Sequence, residues 1–349
     1  MKIASMGRRS AVRWLLALGL STALLGGAWA APGTKPTEQG KGWEYYLTGT
    51  PAALAPEPPR TKTTVLMGGG PDVDAAFKWM MAKAGGGDFV VIRASGADGY
   101  NQYLYDMGGV SSVQTFVIKT RGAANDQTLA DRVSKASALF IAGGDQHDYI
   151  SLWKGTALQV AIETMMKRNI PIGGTSAGLM VLGQIDFSAA NGTIYSAEAM
   201  SDPYSKRITL DTGFLSADYL QGTVTDAHLD TRDRMGRLMA FMARTIQDEW
   251  VSVANMRGIG VDVETALLVD DGKASLVGTG AAYFLKPLIA PTVCEPKTPL
   301  TFRSVGVDKL NLGGSFDLRH WRGASLTAQY HLSVETGVLT SDQPGGSPY

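Results

Sequence analysis

The chain has 349 residues, 44% hydrophobic and 18% charged, with 32 basic residues against 32 acidic ones. This composition excludes a disordered or collagen-like chain, and zero formal net charge gives no electrostatic case for nucleic acid or an anionic membrane surface as partner. The single cysteine, Cys294, rules out an intramolecular disulfide and a multi-cysteine metal site, so the fold must rest on its core.

Lys2, Arg8, Arg9 and Arg13 form a basic N-terminal region, Trp14 to Leu25 is apolar or small, and Ala28-Trp29-Ala30 supplies an A-x-A site. The pattern is that of a secretory signal peptide over residues 1–30, with the mature chain beginning near Ala31. A transmembrane anchor is the alternative, but the apolar run is short for a span. Arg8-Arg9 suggests twin-arginine export, although Ser10-Ala11-Val12 continues that motif imperfectly. Secretion or a periplasmic location follows. Residues 31–62, rich in Pro, Gly, Thr and Lys, read as an N-terminal extension with an ordered patch at Trp43-Glu44-Tyr45-Tyr46-Leu47.

From residue 63 short apolar runs alternate with helical patterns. Thr64 to Met67 ends in Gly68-Gly69-Gly70, and Ala75, Ala76, Phe77, Met80 and Met81 follow at helical spacing. Phe89 to Ile92 ends at Ser95-Gly96, Val113 to Ile118 is the next strand, and a helix is expected over 128–137. Ala138 to Ala142 ends in Gly143-Gly144-Asp145, and one helix is expected from Tyr149 to Lys167. Continuous apolar strands separated by helices predict an α/β fold, a three-layer α/β/α sandwich around a mostly parallel sheet. The ligand crevice of such a sheet lies at the carboxyl ends of its strands. Gly68 to Gly70, Ser95-Gly96, Gly143 to Gln146 and Thr175-Ser176 should therefore converge.

Beyond these, a helix-like stretch runs from Arg237 to Gln247, and Gly258-Ile259-Gly260-Val261-Asp262 is a strand. Asp271-Gly272 predicts a tight turn between Thr265 to Asp270 and Ala274 to Val277. The α/β unit is placed at 63–285, and residues 286–349 read as a proline-containing, β-like C-terminal elaboration.

Gly174-Thr175-Ser176-Ala177-Gly178 follows the strand-like Asn169 to Ile172 and opens an apolar helix-compatible run. A serine on such a strand-to-helix turn exposes its hydroxyl, and the N–H of the next residue, Ala177, is free to hold an oxyanion. A glycine-rich turn without chemistry is the bland alternative. Serine needs a base, and four histidines are present. His228 closes the strand-like Thr223 to Ala227 and precedes a helix. His147 follows Gly143 to Gln146 and is the second candidate, while His320 and His331 fall in the C-terminal region. Arg232, Arg234 and Arg237 are unusual at a helix start, because cations oppose the positive helix end. They read either as a pocket for substrate carboxylates or as a solvated face balanced by Asp230 and Asp233.

The ordered set Gly143-Gly144-Asp145-Gln146, Gly174 to Gly178, Asp226-x-His228 with Arg232, Arg234 and Arg237-Leu238, and Gly258 to Asp262 with Thr265-Ala266 resembles the cyanophycinases of the S51 serine peptidase family. These are related to aspartyl dipeptidase and have a class I glutamine amidotransferase-like, flavodoxin-like fold. The resemblance spans about residues 62–285. It implies Ser176 as nucleophile, His228 as general base, and the N–H groups of Gly144 and Ala177 as oxyanion hole. Gln146, Asp226, Arg232, Arg234 and Arg237 would line the substrate pocket. Glu198 is the best positional match for the triad acid, with Asp186 as fallback and Glu264 as rival. The implied substrate is cyanophycin, cut to β-Asp-Arg dipeptides without metal or organic cofactor, and a homodimer is compatible with the family.

One position departs from the pattern. Cyanophycinases usually carry Gln between the pocket Asp and the histidine, where this chain has Ala227. Peptidase action on short Asp-X or isoAsp-X peptides is therefore the alternative. Two further readings are a metallohydrolase using Asp226-x-His228-x-Asp230 and a catalytically dead binding protein on the same fold.

Overall fold

The computed structural model describes residues 34–52 and 61–349. The signal-peptide pattern lies outside the described residues. No helix within them is long and apolar enough to cross a membrane.

Five parallel strands form the centre of an eleven-stranded sheet, in the spatial order Ser112–Ile118, Asp88–Arg93, Ala138–Ile141, Ile172–Thr175, Thr63–Met67. Their residues are almost all buried, as apolar runs covered on both faces require. Trp43–Gly49 adds an antiparallel strand at one side, and Thr265–Asp270 adds another against Thr63–Met67. The Asp271-Gly272 hairpin forms as expected, with φ +48° and +81° at the two turn residues. One face of this sheet packs on the helix Asp74–Ala84 through Phe77, Met80 and Met81. The opposite face carries the larger core.

The expected helix over 149–167 is two helices, Gln146–Trp153 and Ala157–Lys167. Lys154 turns extended and Gly155 takes φ +69°, a left-handed conformation that stops the first helix and re-aims the second.

A second sheet of eight strands was not anticipated as a separate body. Its central strands Ile185–Phe187, Thr223–Ala227 and Arg257–Val261 are parallel, and Ala282–Pro287 continues it antiparallel. The C-terminal region has a structural role in both sheets. Phe302–Leu310, Ala328–Glu335 and Val338–Ser341 extend the second sheet, while Ser315–Asp317 and Arg322–Ala324 extend the first. The helix Met235–Gln247 packs on Thr223–Ala227 and Arg257–Val261, burying Leu238, Phe241 and Met242. The nucleophile strand thus belongs to one sheet and the histidine strand to the other. The site forms where their carboxyl ends meet.

Candidate active site

Ser176 sits between the strand Ile172–Thr175 and the short helix Ala177–Met180 with φ +52° and ψ −116°. A non-glycine residue rarely holds that conformation, and here the surroundings impose it. The Ser176 N–H donates to the Met67 carbonyl at 3.0 Å. A Cβ at Gly178 would drive into the Ile141 carbonyl, and one at Gly174 into the backbone of Gly178. The G-x-S-x-G glycines are therefore demanded by close backbone approach.

His228 immediately follows the strand Thr223–Ala227, at φ +51°, and its N–H donates to the Gly68 carbonyl at 2.8 Å. Gly69 lies flat against the imidazole, where any Cβ would collide with the ring. Ser176 Oγ lies 2.8 Å from His228 Nε2. Burial pushes the imidazole down to about 3, with Arg232 and Arg234 acting in the same direction. The ring is therefore neutral near pH 7 and able to take a proton.

The two residues expected to form the oxyanion hole, Gly144 and Ala177, flank the same serine. A Cβ on Gly143 would lie 3.5 Å from Ser176 Cβ, so the Gly143-Gly144 turn flanks the nucleophile. Among the described residues, neither the Gly144 nor the Ala177 N–H donates to a backbone carbonyl. Gln146 opens its helix beside this turn and donates from Nε2 to the Phe187 carbonyl at 3.2 Å. His147 is held by its own N–H to Asp145 Oδ1 and makes no bond with Ser176. His320 and His331 pair with Asp317 and Asp342 on the exposed surface of the C-terminal region.

The expected carboxylates separate on inspection. Glu198 is not brought to His228: its carboxylate faces Arg207 at 3.4 Å on the short helix Ser196–Ser201. Asp186 is fully buried with neither oxygen hydrogen-bonded, and burial raises its carboxyl well above the ordinary range. A largely protonated acid cannot stabilise an imidazolium. Glu264 is exposed, but its N–H donates at 2.9 Å to the carbonyl of Gly69, the residue pressed on the His228 ring. Glu264 also holds φ +52°. No carboxylate hydrogen-bonds the imidazole among the described residues.

The basic cluster divides in the same way. Arg237 is 1% exposed and grips the fully buried Asp226 through Nε–Oδ2 at 2.7 Å and Nη2–Oδ1 at 2.6 Å. It also donates to Thr193 Oγ1 and the Ile194 carbonyl, over the faces of Phe187 and Phe241. Asp226 and Arg237 are therefore not open to a substrate, and their expected place in the pocket lining is corrected. A buried ion pair must be fully hydrogen-bonded, and this one uses up both partners. Arg234 donates to the Ala227 carbonyl at 2.8 Å, and burial lowers its guanidinium to about 9. Arg232 alone is exposed and in no ion pair among the described residues.

The Asp226-x-His228-x-Asp230 arrangement does not share one face, since the strand ends at Ala227 and Asp226 is held by Arg237. Among the described residues, no group of three or more His, Cys, Asp or Glu side chains is placed to hold a metal ion. The residues missed from sequence are backbone groups, the carbonyls of Met67 and Gly68, which fix Ser176 and His228. Only the glycine run after the first core strand hinted at them.

The profile of peptidase family S51 matches residues 94–277, more than half of the chain. The chain belongs to peptidase family S51. A relative from Synechococcus elongatus described as cyanophycinase is 27% identical over 227 residues, covering 63% of this chain and 64% of its own length. The S51 chain therefore spans less than two thirds of that relative. A cyanophycinase from Geminocystis herdmanii is 24% identical over 233 residues, or 63% of this chain and 79% of the relative. A solved peptidase from an acI-B1 actinobacterium aligns over 74% of this chain and 97% of its own, at 16% identity and a TM-score of 0.48.

Proposed function

We propose that the protein is an exported serine-type peptidase that cleaves cyanophycin to β-Asp-Arg dipeptides. The observation that carries the serine mechanism is the 2.8 Å approach of Ser176 Oγ to a buried, neutral His228 Nε2. Membership of family S51 and the relatives described as cyanophycinase support the substrate class. The basic, apolar and A-x-A pattern of residues 1–30 supports export, and a polymer too large to enter a cell is best degraded outside it.

His228 Nε2 accepts the Ser176 proton as Oγ attacks the β-aspartyl carbonyl carbon. The carbonyl oxygen becomes an oxyanion held by the N–H groups of Ala177 and Gly144. The C–N bond breaks and the amine leaves with the proton from His228. Water then gives its proton to His228 and attacks the acyl ester, and Ser176 Oγ recovers the proton. Arg232 receives the free carboxylates of the substrate, with Gln146 as a second polar contact. Glu264 is our candidate for the acid that steadies the imidazolium, because its backbone is tied to Gly69.

Ala227 favours a second reading, hydrolysis of short aspartyl or isoaspartyl peptides. It removes an amide that the cyanophycinase pattern places in the pocket. The test is mass spectrometry of soluble products after mixing the mature chain with insoluble cyanophycin, beside Ser176→Ala. β-Asp-Arg from wild type only is expected. No release from the folded protein rejects the polymer, and hydrolysis of isoaspartyl dipeptides then selects the second reading.

A further inference from the structure

A cavity lies far from Ser176, at the opposite ends of the strands that reach it. It measures about 770 Å³ and is lined by Arg257, Trp250, Trp321, Tyr219, Arg319 and Asn255 with their neighbours. Arg257 opens the strand Arg257–Val261, and the cavity residue Gly222 directly precedes Thr223–Ala227. These are the amino ends of the strands whose carboxyl ends reach the catalytic site. A five-residue strand separates the two edges by about 17 Å.

Arg257 is the unusual group in this cavity. Its Nη1 donates to the Ala254 and Met256 carbonyls at 2.9 and 2.7 Å, and Nε and Nη2 have no protein acceptor among the described residues. Its guanidinium carbon lies 5.1 Å from the Trp321 ring centroid. Burial alone perturbs it, and no carboxylate answers its charge. Arg319, by contrast, is matched by Asp271 at 2.5 Å and by Tyr219. Trp321 holds its ring in place from φ +51°, edge-on to Phe316 and Phe284. Such a conformation in a bulky residue persists only where the surroundings over-determine it. Trp250 presents a 45% exposed indole at the rim.

We infer that this cavity is a second binding site, for a carboxylate joined to a flat cationic group such as the arginyl unit. The free Nε/Nη2 edge of Arg257 accepts the carboxylate in fork geometry, and the Trp250 indole face receives the guanidinium. The volume falls in the range of small-ligand sites. The arginyl identity rests on the substrate reading above, whereas the carboxylate site does not. The same chemistry is offered by side groups of the polymer and by the free amino acid or dipeptide.

The test uses the Ser176→Ala protein, titrated by calorimetry with L-arginine and with agmatine, which lacks the carboxylate. Arginine is expected to bind at the cavity, agmatine at least about tenfold more weakly, and Arg257→Gln in the same background to lose that binding event. Trp250→Ala, which removes an exposed ring with little effect on the core, is expected to weaken it as well. Equal binding of arginine and agmatine, or unchanged binding in Arg257→Gln, overturns the site. Co-sedimentation with insoluble cyanophycin distinguishes the sources. Retention that falls in Ser176→Ala/Arg257→Gln identifies the polymer. Unchanged retention with arginine binding lost identifies the free small molecule. Absence of cyanophycin hydrolysis by wild type, with arginine binding intact, overturns the proposed substrate and leaves the site standing.

Discussion

The buried Asp226 carboxylate meets both edges of its contact with Arg237 at 2.7 and 2.6 Å, immediately behind the loop that carries His228. Two residues expected to bind substrate instead brace the histidine strand against the helix Met235–Gln247. The ion pair makes a stability prediction. Asp226→Asn strands a buried guanidinium and should cost about 3–5 kcal/mol in urea unfolding. The double replacement Asp226→Leu with Arg237→Met should recover most of that loss, because neither charge is then left alone. Additive losses in the double variant would refute this account.

Ser176→Ala and His228→Gln should each lower kcat by about 10³-fold or more, and the double variant should fall little further, because the two act as a unit. Circular dichroism should show both folded. Multiplicative losses in steady-state assays would mean that the two residues act independently.

Glu264→Gln should lower kcat by about 10²-fold or more with little change in KM, as loss of an orienting acid does. Glu198→Gln should leave kcat near wild type, since that carboxylate faces Arg207. The reverse pattern would return the role to Glu198.

The pH dependence follows from His228. Its pKa is lowered to about 3, so the acid limb of kcat/KM should lie below the ordinary histidine range. Removing a neighbouring cation favours the imidazolium. Arg232→Gln should therefore shift that limb to higher pH while raising KM for carboxylate-bearing substrates. The same lowered pKa makes the unfolded state bind the extra proton between about pH 3 and 6.5, so this group's stability contribution is lost as pH falls through that window. A pH–rate profile of both proteins checks the direction.

Asp186 has the opposite sign. Its folded pKa lies well above 3.8, so the native state holds a proton that the unfolded chain releases as pH rises. The stability of Asp186→Asn relative to wild type should therefore increase from pH 4 upward. Parallel stability curves for the two proteins would show that Asp186 is not perturbed.

The sequence alone determined the α/β plan, the tight hairpin at Asp271-Gly272, and the serine elbow. These are local facts: continuous apolar runs demand burial on both faces, and a serine between close-packed glycines has few conformations open to it. It also brought forward His228, because a strand's carboxyl end is where ligands meet such sheets. The tertiary structure decided the rest. The break at Gly155 depends on one left-handed residue, which the helical periodicity on either side conceals. Three arginines within six residues look alike as sequence, yet one is saturated by Asp226, one is largely buried, and one is free. Charge is encoded residue by residue, whereas desolvation and the identity of each partner come from the meeting of two sheets that are distant along the chain. For the same reason Glu198 looked well placed in the linear order, while it is Glu264 whose backbone bonds to Gly69, the residue against the histidine ring.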